Sequence, residues 1–169
     1  MSFTYGWHVL YVKPRWEQKV FDSLNEISLE AFLPRVKTIR QWSDRKKTIL
    51  KPLFPSYVFV NIHSSLELHK ALSVKGVCAY IRFGREYAIV GDKEIAQIRF
   101  IIGEKDITNI ETVTELPKIG ESKKILYGAL AGLECEIIQA DNHSKIIVRI
   151  DSLRQNIMAT IPLHNLERA

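Results

Sequence analysis

The chain has 169 residues, 46% hydrophobic, 25% charged and 9% aromatic, with a formal net charge of +5. These proportions exclude a disordered or fibrous protein, and no apolar stretch approaches the ~20 residues that a bilayer-spanning helix needs. Cys78 and Cys135 stand far apart with no paired spacing, which argues against a disulfide framework or a four-ligand zinc site.

Taken in chain order, Gly6 to Val12 is β-rich and ends at Lys13-Pro14. A helix is expected next, because Val20, Phe21, Leu24 and Ile27 recur on one face. Glu30 to Val36 is expected as a second strand, followed by a basic hairpin with its tip at Trp42-Ser43-Asp44-Arg45. Tyr57 to Val60 is a strand by β-branched and aromatic content. Ser64 with Glu67 three residues on forms a capping box that opens a short helix through Leu72. Val77 to Phe83 and Tyr87 to Val90 flank a turn at Gly84-Arg85. Asp92 caps a third helix with Ile95, Ile98 and Ile102 inward and Gly103 as its stop.

This order predicts an α+β domain over residues 1–103, an antiparallel sheet flanked by helices. Residues 104–117 are polar, lack helical periodicity and finish at Pro117, so a linker is expected there. Short strand-like segments at Lys123–Leu126, Cys135–Ile138, Lys145–Ile150 and Ala159–Ile161 follow, separated by turn signals. They predict a small all-β barrel over 118–169.

The charge is uneven. Residues 1–60 carry ten Lys/Arg against five Asp/Glu, a net of +5, while 61–110 and 111–169 carry +1 and −1. Between Arg35 and Lys51, seven cations face only Asp44. Such clusters attract polyanions, nucleic acid foremost, although the same charge can also serve only to solubilise a hairpin tip. No catalytic pattern accompanies them: the five histidines lack metal-ligand spacing, and neither a Gly-rich phosphate loop nor a Gly-x-Ser-x-Gly elbow occurs. No enzyme activity, metal or cofactor is expected. The stretch Met1 to Gly6 has no basic flank or apolar run of the signal-peptide kind, which predicts a cytoplasmic protein. The strand aromatics either pack a core or form an exposed protein-binding patch, and both readings stay open at this point.

Three stretches resemble the NusG family of transcription elongation factors, especially its RfaH, LoaP and UpxY-type antiterminator branches. They are Trp7-His8-Val9-Leu10-Tyr11-Val12-Lys13-Pro14-Arg15, then Leu53-Phe54-Pro55-Ser56-Tyr57-Val58-Phe59-Val60, then Gly76 to Gly84 followed by Ile89-Val90. In the tail, Gly128 to Glu134 is similar to a KOW motif, with Ala129 where proline is common and Cys135 where glycine is usual.

The resemblance implies a NusG-type amino-terminal domain joined to a small SH3-like KOW barrel. It implies an adaptor that grips the clamp helices of RNA polymerase, closes the clamp and suppresses pausing and termination, at particular operons in the specialised branches. Tyr11, Phe54, Tyr57, Phe59, Tyr80 and Phe83 would form the clamp-binding patch, and His69 and Lys70 would touch the gate loop. Lys13, Arg15, Lys19 and Lys75 would face the non-template DNA strand, with Trp16 as a candidate stacking ring and the basic hairpin near upstream DNA. The barrel would recruit a small-subunit ribosomal protein or Rho through Leu130, Leu133, Ile157 and Met158, or refold into a helical hairpin that masks the patch. The protein would act as a monomer. A KOW-bearing RNA-binding or ribosome-associated protein is the alternative.

Overall fold

Strand β1 (Gly6–Val12) is hydrogen-bonded along both edges, which suits its nearly continuous run of buried side chains. Pro14 cannot extend the ladder, and the left-handed backbone of Arg15 (φ 68°) turns the chain into helix α1 (Glu17–Glu26). Val20 and Leu24 are buried on α1 and Phe21 half-buried. Ile27 was expected on that face, but it lies past the helix end and is 42% exposed; Leu29 enters the core instead. The computed structural model describes residues 4–113, 122–124, 134–140 and 143–162, and the chain divides into two compact units, 1–93 and 94–169.

In the first unit, β2 (Glu30–Phe32) stops short of Pro34, so the single strand expected over Glu30 to Val36 is two. The second of these, β3 (Arg35–Gln41), pairs with β4 (Lys46–Pro52) in a two-stranded sheet of their own. Strand β5 (Tyr57–Ile62) then pairs with β1 and β2. Helix α2 (Ser65–Leu72) starts as its capping box predicts: Glu67 N donates to Ser64 Oγ at 3.1 Å. The reciprocal bond comes from His63 N to Glu67 Oε2 at 2.6 Å, one residue before the expected donor.

Four short strands follow: β6 (Val77–Tyr80), β7 (Arg82–Phe83), β8 (Glu86–Tyr87) and β9 (Ile89–Val90). β6 and β9 share one edge of β1, through Leu10↔Tyr80 and Trp7↔Val90, while β7 and β8 leave as a hairpin turning at Gly84. The sheet order is β2-β5-β1-β6, with β9 also beside β1. Leu10, Val12, Val58, Val60, Ile62 and Tyr80 form its helix-facing side and pack with Val20 and Leu24 of α1 and Ala71 of α2. Burying each aliphatic side chain of this set contributes roughly 1.5–3 kcal/mol.

Helix α3 (Asp92–Gly103) buries Ile95, Ile98 and Ile101 and leaves Ile102 half-buried, a face rotated by one residue from the expected one. Beyond it, β10 (Thr108–Val113), β11 (Ser122–Lys124), β12 (Glu134–Ala140), β13 (His143–Ile150) and β14 (Gln155–Pro162) form an antiparallel sheet in the order β10-β14-β13-β12-β11. Strand β10 falls inside the segment expected as linker. Its Thr108, Ile110, Thr112 and Val113 are β-branched, a strand preference that the polarity of the segment concealed. Ile146, Val148, Ile150, Ile157 and Ile161 are buried in this unit. The architecture is α+β with antiparallel sheets and, among the described residues, three α-helices, none long and apolar enough to cross a membrane.

Candidate functional site

The end of β1, the first turn of α1 and the loop before β6 converge on one indole. Trp16 lies half-buried against the core, with Lys19 Nζ 4.8 Å, Lys13 Nζ 5.7 Å and Lys75 Nζ 5.8 Å from its ring centroid. All three distances fall within cation–π range. Lys13 N donates to Gly76 O at 2.9 Å and ties the two loops together. Gly76 has φ +98°, and a Cβ there would lie 2.6 Å from Trp16 Cε3. Only glycine allows the indole this close, so the ring and the three ammonium groups depend on one residue without a side chain.

Lys13, Arg15, Lys19 and Lys75 are all exposed, and three of them share a ring. Such a cluster offers point charges to phosphates and an aromatic surface to a base. The resemblance grouped Trp16 with Lys75, 59 residues on, as DNA-facing; their direct contact is added by the structure, and the glycine beside Lys75 is its local signal.

A carboxylate steadies the same corner. Glu17 is buried, and its Oε1 accepts a hydrogen bond from Ser56 N at 2.9 Å; Val12 N donates to Ser56 O at 2.8 Å. Ser56 is left-handed (φ 64°), so these bonds fix the turn that delivers Tyr57 to β5. Nothing in the sequence marked Glu17 for this role.

The β3–β4 ribbon carries a second ring among cations. Trp42 N donates to Arg45 O at 2.8 Å across the tip, and the indole has the Arg45 guanidinium at 5.1 Å and Lys47 Nζ at 5.9 Å. The ribbon register sets Arg40 opposite Lys47 and Gln41 opposite Lys46. Trp42 is 40% exposed, and Ile39 and Leu50 are exposed as well.

The six rings expected as one patch do not form one. Tyr11 and Tyr57 are cross-strand partners, Tyr11 exposed and Tyr57 half-buried, and they share a face with Phe59 by the two-residue period. Phe59, opposite Val9 in mid-sheet, is fully buried. Phe54 is buried as well, stacked on Tyr57 (centroids 6.5 Å) and edge-on to Phe59 (5.6 Å). Both rings serve to pack and support Tyr57, which corrects their expected place in the contact.

Tyr80 is corrected on other grounds. It points to the helix-facing side of the sheet, and its hydroxyl donates to Leu68 O of α2 at 2.6 Å. Burial, reinforced by the neighbouring Tyr87 phenol, pushes the Tyr80 phenol well above the ordinary tyrosine value. Beside it lies His8, 5.5 Å from Tyr80 and 5.6 Å from Tyr87 between ring centroids. Burial holds the His8 imidazole below its usual pKa, partly offset by its hydrogen bond to Gly6 O at 3.0 Å. Phe83 is half-buried on the β7–β8 hairpin.

His69 and Lys70 are exposed in the last turn of α2, where the Lys70 ammonium also suits the helix dipole. In the second unit, Ile157 is buried in β14 and presents nothing to a partner, whereas Met158 is half-buried. Leu130 and Leu133 lie outside the described residues. Among the described residues no group of three or more His, Cys, Asp or Glu could hold a metal ion.

Over residues 5–99 the chain matches the family model described as transcription termination factor NusG. Among solved structures it is similar to Thermotoga maritima NusG, with 22% identity, 92% of this chain and 93% of that chain covered, and a TM-score of 0.52. That likeness bears on the fold alone. The MjSpt4:Spt5 complex also aligns, in two conformations, at 10% and 12% identity and TM-scores of 0.33 and 0.34, covering 94% of this chain and 94% and 93% of those chains. At those scores the alignment carries no weight. No curated protein matches the sequence. With more than half of its length covered by the family model, from Tyr5 through Arg99, the chain belongs to the NusG family.

Proposed function

We propose that the chain is a transcription elongation factor that binds RNA polymerase through its first unit, suppresses pausing and termination, and does so at particular operons as the RfaH-like branches do. The observation that carries this reading is the course of β1. The exposed Tyr11, paired with Tyr57, leads within five residues to the Lys13–Trp16–Lys19–Lys75 cluster. One stretch of chain thus offers an aromatic edge to a protein and a cationic ring to a single nucleic-acid strand. Tyr11, Tyr57 and Phe83 are the accessible members of the clamp contact, with His69 and Lys70 reaching the gate loop. Lys13, Arg15, Lys19 and Lys75 hold the displaced DNA strand by its phosphates. A ligand that prefers the closed clamp shifts the polymerase away from paused states by its difference in affinity for the two forms.

The division into an amino-terminal domain and a KOW barrel, with β10 as an edge strand of the second sheet and not a connection, belongs to the same proposal. So does recruitment of a ribosomal protein or Rho by the second unit through Leu130, Leu133 and Met158. Transcription in vitro through pause and terminator sites, with the full chain added or omitted, tests the reading. Shorter pauses and more readthrough are expected, and Tyr57→Ala should abolish both while leaving the protein folded. An unchanged transcript pattern with wild-type protein overturns it.

A further inference from the structure

We propose that the tip of the β3–β4 ribbon is a second nucleic-acid site, separate from the Trp16 cluster, in which Trp42 stacks on an unpaired base of a single strand. This goes beyond the polymerase reading and stands without it.

Three observations carry it. The indole is 40% exposed at the end of a ribbon that belongs to no larger sheet, so burial in a core does not account for a tryptophan there. Arg45 and Lys47 already lie at 5.1 and 5.9 Å from the ring, so a base stacked on it would have cations beside its flanking phosphates. The antiparallel register and the two-residue period put Arg40 on the same face as Lys47, and Lys51 further along that face. The row of cations therefore continues away from the ring, along the path a bound strand would take.

The charge balance favours a polyanion as the occupant, since Asp44 is the sole acid between Arg35 and Pro52. The exposed ring favours a single strand over a duplex. In a duplex the base faces are covered by their neighbours, and a tryptophan flanked by cations gains only phosphate contacts.

The test uses the full chain and a single-stranded DNA of about 12 nucleotides, its RNA counterpart and the matching DNA duplex. Tryptophan emission and probe anisotropy are read together. Binding of either single strand should quench emission, and Trp42→Ala should weaken it roughly five- to a hundredfold. Trp42→Phe, which keeps a ring, should retain most of the affinity but lose Trp42's share of the quenching, read in a chain whose Lys13 and Lys75 are changed to Glu so that the Trp16 site does not contribute. Lys47→Gln should lower the salt dependence of binding by about 0.7 in log–log slope, the effect of one phosphate contact on a single strand. That slope also decides the case if Trp42→Ala should fail to fold. Duplex binding as tight as single-strand binding, or a Trp42→Ala protein that folds and binds like wild type, overturns the proposal. Reversing Lys13 and Lys75 to Glu separates the two sites: the Trp42-dependent part of the binding should survive, and its loss would mean that there is one site, not two.

Discussion

Two indoles in the first unit, Trp16 and Trp42, are each surrounded by cations at about the same distances, yet they are held in opposite ways. Trp16 is seated against Gly76 and the helix-packed core, with its lysines drawn from the end of β1, the first turn of α1 and the loop before β6, some sixty residues on. Trp42 projects at a ribbon tip, with its cations supplied from the next few residues. The first arrangement is set by tertiary structure and resists movement. The second is local, and it tolerates substitution because little else leans on it. Cations around a ring are therefore not one kind of feature; what lies behind the ring decides its rigidity and its vulnerability.

The most severe way to break this contrast is Gly76→Ala. A left-handed alanine costs about 1–2 kcal/mol, and pushing the Trp16 ring aside adds about 1–3 more. Urea denaturation should show a loss of about 2–5 kcal/mol, whereas Gly84→Ala, left-handed but with no neighbouring atom within 4 Å of its Cβ, should lose only about 1–2 kcal/mol. Equal losses would mean that the seat of the indole is not tight. Next in size is Glu17→Ala, which strands the Ser56 N–H and should cost about 2 kcal/mol in the same measurement.

A smaller effect is expected from pH. His8 has its folded pKa depressed below the unfolded value near 6.5, so the unfolded chain takes up the proton first. Stability should be full above that value, decline as pH falls through it, and level off below the folded pKa. His8→Phe should flatten this dependence, and an unchanged slope would locate the acid sensitivity elsewhere. The smallest effect is expected at the other indole: Trp42→Ala should change stability by no more than about 0.5 kcal/mol, because the ring supports no core. A loss comparable to that of Gly76→Ala would erase the distinction between the two sites.

Much of the first unit was legible because its signals are local. The alternation around Tyr57, the box at Ser64 and Glu67, and the stop at Pro14 each act within a few residues, and each appears where expected. Pro34 is equally local, and it splits the expected strand into β2 and β3. The clamp rings were misjudged for a different reason. Burial of Phe59 depends on Val9 lying opposite it, fifty residues away, and that of Tyr80 on the way α2 packs back on the sheet, which strand periodicity does not encode. Lys75 and Trp16 were grouped only through the family resemblance, because nothing local in the chain brings them together. Strand β10 was lost because polar side chains can occupy an edge position so long as its backbone pairs with a neighbour, as it does with β14.

The placement of β1 has a consequence for how the first unit assembles. This strand is made before all of its neighbours, yet its ladder is complete only when Val90 reaches Trp7. Until then one stretch of its edge lacks a partner, and loops of some fifty and eighty residues must be drawn shut before the ladder's contacts repay the lost freedom. A slow, all-or-none collapse is what such wiring favours, with the ribbon of β3 and β4 free to form ahead of it as a purely local event.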